Sequence, residues 1–330
     1  MLLRPYFTPI LVKGLLIFLV SLLFGNLLWQ NQARKSPLAW WPKQVRRIWY
    51  RSPADASYQP ALFYAPRTRR PVPLLVALHT WHGDYMERSS VPYARYAIEN
   101  DWAFIHPHFR GPNIQPEATG SDLVIADILA AVDYARGRAT VDPQRIYLIG
   151  ASGGGHAALL VAARHPHIWA GVSAWVPVTN LEAWYAETLH TRVPGDLESA
   201  CGGPPGVSPE VDLEYRRRSP LTYLHPGLSI PIDLNTGIHE DLVPVSHALQ
   251  AFNLLAAPQD RLPEGEILYF ARHALVPPRL VADYSDPAYG ERQVLFRRQS
   301  GKVRITVFDG GHEILYKTGL NWLAKQVKED

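Results

Sequence analysis

The chain has 330 residues, of which 47% are hydrophobic and 19% charged, and it contains a single cysteine. This composition excludes intrinsic disorder. The lack of a glycine period, a heptad repeat and paired cysteines excludes a collagen, a coiled coil and a disulfide scaffold. The chain is long enough to bury a sizeable core, either in two domains of ordinary size or in one large α/β domain.

The net charge of +3 comes from the amino terminus. Residues 1–54 carry eight basic and no acidic side chains, so the rest of the chain holds 25 basic against 30 acidic groups. A mildly acidic body lacks the basic footprint that is typical of nucleic-acid-binding domains. We therefore expect no nucleic-acid partner.

An uncharged apolar run extends from Gly14 to Trp29. As a helix this run would span about 24 Å, and a run that starts at Ile10 would span about 30 Å. The longer value equals the thickness of a bilayer's hydrocarbon core. No small-x-small cleavage site comes after it, so an uncleaved membrane anchor is favoured over a secretory signal, with a buried core helix as the other alternative. We predict that residues 1–43 form this anchor and a linker, and that residues 44–330 form one domain.

Two signals conflict over the side of the membrane. Five basic residues lie within eighteen positions after the run and two precede it, which by the positive-inside rule keeps the body in the cytoplasm. Signal-like segments instead export the chain that is carboxyl-terminal to them. We expect a membrane-anchored protein, or an exported one if the segment is cleaved, with a preference for the extracytoplasmic side.

From Trp49 onward, short apolar runs alternate with helical stretches, the pattern of a mostly parallel sheet with helices on both faces. A helix is predicted to begin at Asp122, with Ser121 as its N-cap. The intervals 179–229 and 257–301 are expected to form loops and helices that decorate the sheet. The predicted strands are residues 73–79, 102–109, 145–150, 170–178, 230–237 and 303–308.

The strongest chemical signal is a G-x-S-x-G motif centred on Ser152. A predicted strand precedes it and a predicted helix comes after it, as the nucleophile turn of an α/β-hydrolase fold requires. Glycines flank the serine because the helix backbone comes so close to the strand that a Cβ would collide. A serine hydroxyl is a weak nucleophile, so a histidine must take its proton and a carboxylate must orient that histidine. Ser152 is the predicted nucleophile, and a purely structural turn is the alternative.

The acid and the histidine are expected to come after the serine along the chain. Glu240 and Asp241 come just after one predicted strand, and His312 comes just after another. Open α/β sheets place their ligands at these carboxyl ends. His312 is the predicted base, with a mere helix cap as its alternative, and the two acids compete for the orienting role.

These segments together resemble the catalytic domain of the prolyl oligopeptidase-like (S9) branch of the α/β-hydrolases. The resemblance covers roughly residues 70–320 and rests on VDPQRIYLIGASGGGH, TGIHEDLVPVSHALQAF, FDGGHE, the LHTWHGD turn and the FRG at 109–111. It puts the acid on Glu240 where the family has Asp, and Thr236 where the family has His. Either carboxylate can orient an imidazole, so Glu240 is preferred over Asp241.

The oxyanion hole needs two backbone N–H groups directed at the developing alkoxide. The amide of Gly153, directly after the nucleophile, is the first. The resemblance to the family's His-Gly-Gly turn assigns the second to Trp81, with Thr80 as the alternative.

No cofactor and no metal are expected. The histidines near the predicted site come without an HExxH pattern or a Cys/His cluster, so a structural or surface role is favoured. Several aromatic residues near the strand ends either belong to the core or form a platform for a sugar or aryl group. They are Trp169, Trp175, Trp184 and Tyr185.

We expect a serine hydrolase that forms an acyl-enzyme and acts on a small-molecule ester, such as an acylated carbohydrate. About 45 residues separate the apolar run from the first predicted hydrolase strand, too few for the β-propeller that gates peptidases of the resembled family. Ester hydrolysis is therefore favoured, with a serine peptidase acting on short peptides as the runner-up. A catalytically silent, membrane-tethered binding module is the third alternative.

Overall fold

The computed structural model describes residues 37–328. Its contacts divide the chain into residues 1–41 and residues 42–330. Of the first unit, the structure describes a short 3-10 helix, Pro37–Trp40, and the residue after it. The predicted membrane segment lies outside the described residues. Within residues 37–328, every helix is too short or too polar to cross a membrane.

The second unit is built on one nine-stranded sheet with the order β1-β2-β4-β3-β5-β6-β7-β9-β8. Five neighbouring pairs are parallel, and the pairs β1–β2, β2–β4 and β8–β9 are antiparallel. The strands are β1 (Arg46–Arg51), β2 (Tyr58–Tyr64), β3 (Val72–Leu78), β4 (Ala103–Pro107), β5 (Val141–Ala151), β6 (Gly171–Trp175), β7 (Ile232–Gly237), β8 (Val294–Ser300) and β9 (Val303–Phe308).

Helices cover both faces of the sheet, as predicted. The main apolar cluster lies between one face and helices α2, α3, α7 and α8, whereas α1 and α9 pack on the other face. Ser121 caps α2, because its side chain accepts a hydrogen bond from the amide of Val124 at 3.3 Å. The helices are α1 (Val91–Glu99), α2 (Asp122–Arg136), α3 (Gly153–Arg164), α4 (Leu181–Glu187), α5 (Val193–Cys201), α6 (Pro209–Arg218), α7 (Ser246–Leu255), α8 (Glu264–His273) and α9 (Tyr316–Leu323).

The α/β-hydrolase fold with a mostly parallel sheet is confirmed, and the antiparallel edges are the part that the sequence did not reveal. Strands β3, β4 and β6 are buried along their whole length, so their sequences are mostly apolar. The edge strands β1 and β8 mix buried and charged positions instead. The interval 257–301, expected to hold loops and helices, therefore also contains β8.

Helices α4, α5 and α6 form an insertion between β6 and β7 with its own apolar cluster. A hydrogen bond joins the insertion to the rest of the domain, because the indole of Trp184 donates to the carbonyl of Leu242 at 2.8 Å. A second contact joins His82 Nε2 and Asp196 Oδ2 at 2.7 Å. These contacts hold the insertion over the carboxyl ends of the parallel strands, where the predicted site residues lie.

Candidate active site

Ser152 sits on a strained turn between β5 and α3. Its backbone has φ 57° and ψ −120°, a region that residues with a side chain rarely occupy. The turn is held from the neighbouring strand, because the amide of Ser152 donates to the carbonyl of Trp175 at 2.9 Å. Such a turn exposes the serine hydroxyl above the end of the sheet.

Gly153 brings the turn into contact with the loop after β3. A Cβ at this position would lie 2.6 Å from both the amide nitrogen and the Cα of Trp81. Only glycine permits this approach of two backbones. The amides of Gly153 and Trp81, predicted to form the oxyanion hole, are thus brought side by side.

The two amides considered for the second oxyanion donor have different surroundings. The amide of Thr80 donates to the carboxylate of Glu87 at 3.2 Å, and the Thr80 hydroxyl donates to the same group at 2.8 Å. The Trp81 amide has no acceptor within the part of the chain that the structure describes. The Gly153 amide opens α3 and so has no partner inside that helix.

His312 is held by Glu240. The Nδ1–H of His312 donates to Oε2 of Glu240 at 2.9 Å, and Oε1 lies 3.2 Å away. A carboxylate can only accept, so the proton of the pair is on Nδ1 and Nε2 is left with a lone pair in the neutral ring. The Glu240 side chain is 1% exposed and that of His312 is 21% exposed, so the carboxylate is buried and the ring is open on one side.

The loops that carry Glu240 and His312 are locked to each other in register. The amide of Ile238 donates to the carbonyl of Phe308, and that of His239 donates to the carbonyl of Gly310, both at 2.9 Å. A Cβ on Gly237 would collide with the backbone of Gly310, so glycine is required where the two loops meet. This packing fixes the carboxylate against the imidazole.

Asp241 does not reach His312. Its side chain is exposed and has no hydrogen-bond partner within residues 37–328. Ser152 Oγ likewise makes no hydrogen bond among the described residues, although Ser152 and His312 line the same cavity. Catalytic hydrogen bonds are often long in the absence of substrate and shorten in the complex.

The shared cavity has a volume of about 220 Å³. Ser152 and His312 line it together with Trp81 and residues of the insertion. The rings of Trp81 and Trp184 meet edge to face at 4.7 Å. The remaining lining residues are His82, Thr188, Thr191, Arg192, Val193, Asp241, Leu242 and Val243.

Most of these wall residues could not be found from the sequence, because they lie in the insertion and its flanking loops. Of the four aromatic residues considered as a platform, only Trp184 lines the cavity. Trp169 and Trp175 are buried in the apolar clusters on the two faces of the sheet. Tyr185 packs inside the insertion and donates to Glu198 at 2.6 Å.

Two fully buried histidines near the site bind backbone carbonyls. His106 donates to the carbonyl of Ala77 from Nδ1, and His156 donates to the carbonyl of Arg218 from Nε2, both at 2.7 Å. Burial lowers the pKa of each to about 4, so both rings are neutral at pH 7. Burial also raises the pKa of the Cys201 thiol to about 12, so it remains protonated. No cluster within the described part of the chain is arranged to hold a metal ion.

Parts of this chain are similar to known proteins. Residues 119–282 match the family model described as the prolyl oligopeptidase family. This range contains Ser152 and Glu240, whereas His312 and Trp81 lie outside it. The S-formylglutathione hydrolase of Rattus norvegicus is 29% identical over 118 residues, which are 33% of this chain and 42% of that protein. NocK of Nocardia uniformis subsp. tsuyamanensis, named as an esterase, is 36% identical over 117 residues, 33% of this chain and 34% of that one.

Solved structures share the fold at low identity. A puromycin hydrolase superposes with a TM-score of 0.57 at 16% identity, over 86% of this chain and 38% of its own. The acylaminoacyl peptidase of Pyrococcus horikoshii gives a TM-score of 0.51 at 16% identity, over 64% and 34%. The chain thus spans less than half the length of each of these relatives. These solved structures share the α/β-hydrolase fold with this chain, and the match to the prolyl oligopeptidase family model extends over residues 119–282, just under half of it.

Proposed function

We propose that the chain hydrolyses carboxylic esters of small molecules through an acyl-enzyme formed on Ser152. The observation that carries the proposal is the buried Glu240 carboxylate bonded to His312, on the cavity into which Ser152 opens. A carboxylate bonded to an imidazole, with a serine on the same cavity, supplies the three groups of a nucleophilic triad.

In the proposed reaction, Ser152 Oγ attacks the ester carbonyl carbon while Nε2 of His312 accepts the hydroxyl proton. Glu240 stabilises the imidazolium and keeps its Nδ1–H in place. The imidazolium then gives its proton to the departing alkoxide as the ester C–O bond breaks. Water repeats the sequence on the acyl-enzyme, which releases the acid and restores Ser152.

The amides of Gly153 and Trp81 are the proposed donors to the tetrahedral oxyanion. Their proximity, together with the engagement of the Thr80 amide by Glu87, favours Trp81 over Thr80. Fixed donors of this kind act where charge develops and need no rearrangement during the reaction.

The size of the cavity supports a small acyl group. A volume of about 220 Å³ falls below the range of about 300–1,000 Å³ that is usual for drug-sized ligands. The two curated relatives are named as an S-formylglutathione hydrolase and an esterase, which supports a hydrolase acting on esters. The rings of Trp81 and Trp184, which line the cavity, would suit a sugar as the alcohol part, so an acylated carbohydrate is the most specific substrate that we propose.

A serine peptidase acting on short peptides is the second candidate, and the match to the prolyl oligopeptidase family model favours it. The same serine, base and oxyanion donors would serve an amide, provided that His312 protonates the departing amine. The two candidates differ in the group that must fit the cavity beside the scissile carbonyl.

The test is a substrate panel for the full chain, made of p-nitrophenyl acetate, butyrate and octanoate and a set of dipeptide p-nitroanilides. We expect kcat/KM to be highest for acetate, to fall with acyl length, and to be lost in Ser152→Ala with an unchanged melting temperature. Turnover of a dipeptide anilide with kcat/KM equal to that of the acetate ester would favour the peptidase. Equal activity in Ser152→Ala, or no turnover by folded protein, would contradict the proposal.

We also propose that residues 14–29 anchor the chain in a membrane with the hydrolase domain on the extracytoplasmic side. The length and apolarity of this run support the proposal. We expect the chain to stay with membranes in alkaline carbonate, and external protease to digest the domain in intact cells. Release by carbonate would contradict the anchor. A domain that external protease digests only after the cells are lysed would contradict the orientation.

A further inference from the structure

A second, larger concavity lies away from the active site, between the edge of the sheet and the end of α2. Its volume is about 770 Å³. We call it the basic groove, and it is lined by Lys43, Gln44, Arg46, Ile48, Phe63, Tyr64, Ala65, Arg67, Tyr134 and Arg138.

The basic groove carries four cations and no carboxylate among its lining residues. Lys43, Arg46, Arg67 and Arg138 make no ion pair within the described residues, and Arg138 lies over the ring of Tyr134 at 5.5 Å. One acidic residue, Asp101, acts electrostatically on the lining residue Tyr64. Burial and, to a lesser extent, the charge of Asp101 raise the pKa of Tyr64. Four unpaired cations in one concavity produce a strongly positive local potential.

The lining between these cations is apolar and aromatic. Ile48, Phe63 and Ala65 supply carbon surface, and Tyr64 and Tyr134 supply amphipathic rings. Rings of this kind are enriched where proteins meet the headgroup region of a bilayer. The groove therefore matches an amphiphile with an anionic head better than a small inorganic anion.

The groove and the active site lie at opposite ends of the parallel strands. Tyr64 pairs with Phe104 near the beginning of β4, and Tyr134 is in the last turn of α2. Both positions mark the amino ends of the parallel strands. Ser152 and the other site residues lie just beyond the carboxyl ends.

We propose that the basic groove binds the headgroups of anionic phospholipids, so that the domain docks on a membrane surface with its active site facing away. The charge of the groove is complementary to such a surface, to which each nearby Lys or Arg adds measurable attraction. The length of the linker is compatible with this arrangement, which here rests on the membrane anchor proposed above: 13 residues lie between Trp29 and Lys43, and they let the chain reach at most about 50 Å.

The test is calorimetric titration of the full chain in a neutral detergent with two soluble short-chain lipids, dihexanoyl phosphatidylglycerol and dihexanoyl phosphatidylcholine. Both lipids meet the same detergent-covered segment, so their difference reports the headgroup. We expect the glycerol lipid to bind at least ~10-fold more tightly than the choline lipid. Replacing the four groove cations by Gln (K43Q, R46Q, R67Q and R138Q) should remove that difference while esterase activity is retained.

The matched control neutralises four exposed basic residues outside the groove, Arg95, Arg216, Arg272 and Lys325, and should keep the preference. Equal binding of the two lipids would overturn the proposal, and so would an equal loss in the control. Inorganic phosphate or a single-stranded oligonucleotide that binds as tightly as the glycerol lipid would also overturn it, because the groove would then serve a soluble anion or a nucleic acid.

Discussion

The pairing of Glu240 with His312 predicts a specific cost for removing its charge. The Nδ1···Oε2 distance of 2.9 Å puts the centres of the two charged groups about 4 Å apart when His312 is protonated. At an effective dielectric constant of about 20, that attraction is worth about 4 kcal/mol. Glu240→Gln removes the attraction but keeps the shape, so kcat should fall by about 10³-fold.

Asp241→Asn is the matched control. It removes the neighbouring carboxylate, which is exposed and makes no contact with His312, so kcat should change by less than about 3-fold. Both variants are assayed with p-nitrophenyl acetate, with circular dichroism and thermal melting to show that each is folded. A larger loss in Asp241→Asn than in Glu240→Gln would refute the assignment of the acid.

Two further predictions concern the oxyanion donors and the buried histidines. Gly153→Ala would drive a Cβ into the Trp81 backbone and displace that donor, so kcat should fall by at least ~10²-fold. Gly195→Ala is the control and should have no effect, because the space around its Cβ is open. Equal activity in the two variants would contradict the proposed oxyanion hole. The lowered pKa of His106 and His156 means that the unfolded chain binds more protons between pH 6.5 and 4, so stability should fall as the pH drops through that window, by up to ~1.4 kcal/mol per pH unit for each ring. Urea unfolding at several pH values should show a shallower slope for His156→Gln, and an unchanged slope would refute the argument.

The central strands could be predicted because burial on both faces leaves an apolar signature. The predicted strand at residues 303–308 coincides with β9, and the one at 73–79 differs from β3 by one residue at each end. The edge strands gave no such signature, because one side of β1 and of β8 faces solvent and carries arginine. Their antiparallel pairing depends on tertiary contacts that a local pattern does not contain.

The residues at the strand ends could be named from the sequence because the fold itself brings them together. The motif around Ser152 and the two loops after β7 and β9 lie at the carboxyl ends of strands β5, β7 and β9, which are near each other in the sheet. The choice between Glu240 and Asp241 depends on which side chain turns inward, and alternation along a loop cannot decide this. The residues of the insertion that line the cavity could not be predicted from the sequence for a similar reason. The packing of α4 to α6 determines which face of Trp184 lies against the site.

Active-site labelling of the full chain with a fluorophosphonate, read out by peptide mass spectrometry, is the most direct test of Ser152 as an activated nucleophile. An activated serine attacks phosphorus and is left with a stable adduct, whereas an ordinary serine does not react. We expect one adduct, on Ser152, which forms much more slowly in Glu240→Gln and at the usual rate in Asp241→Asn. Folded protein that stays unlabelled, or that carries its adduct on another residue, would contradict the proposed triad.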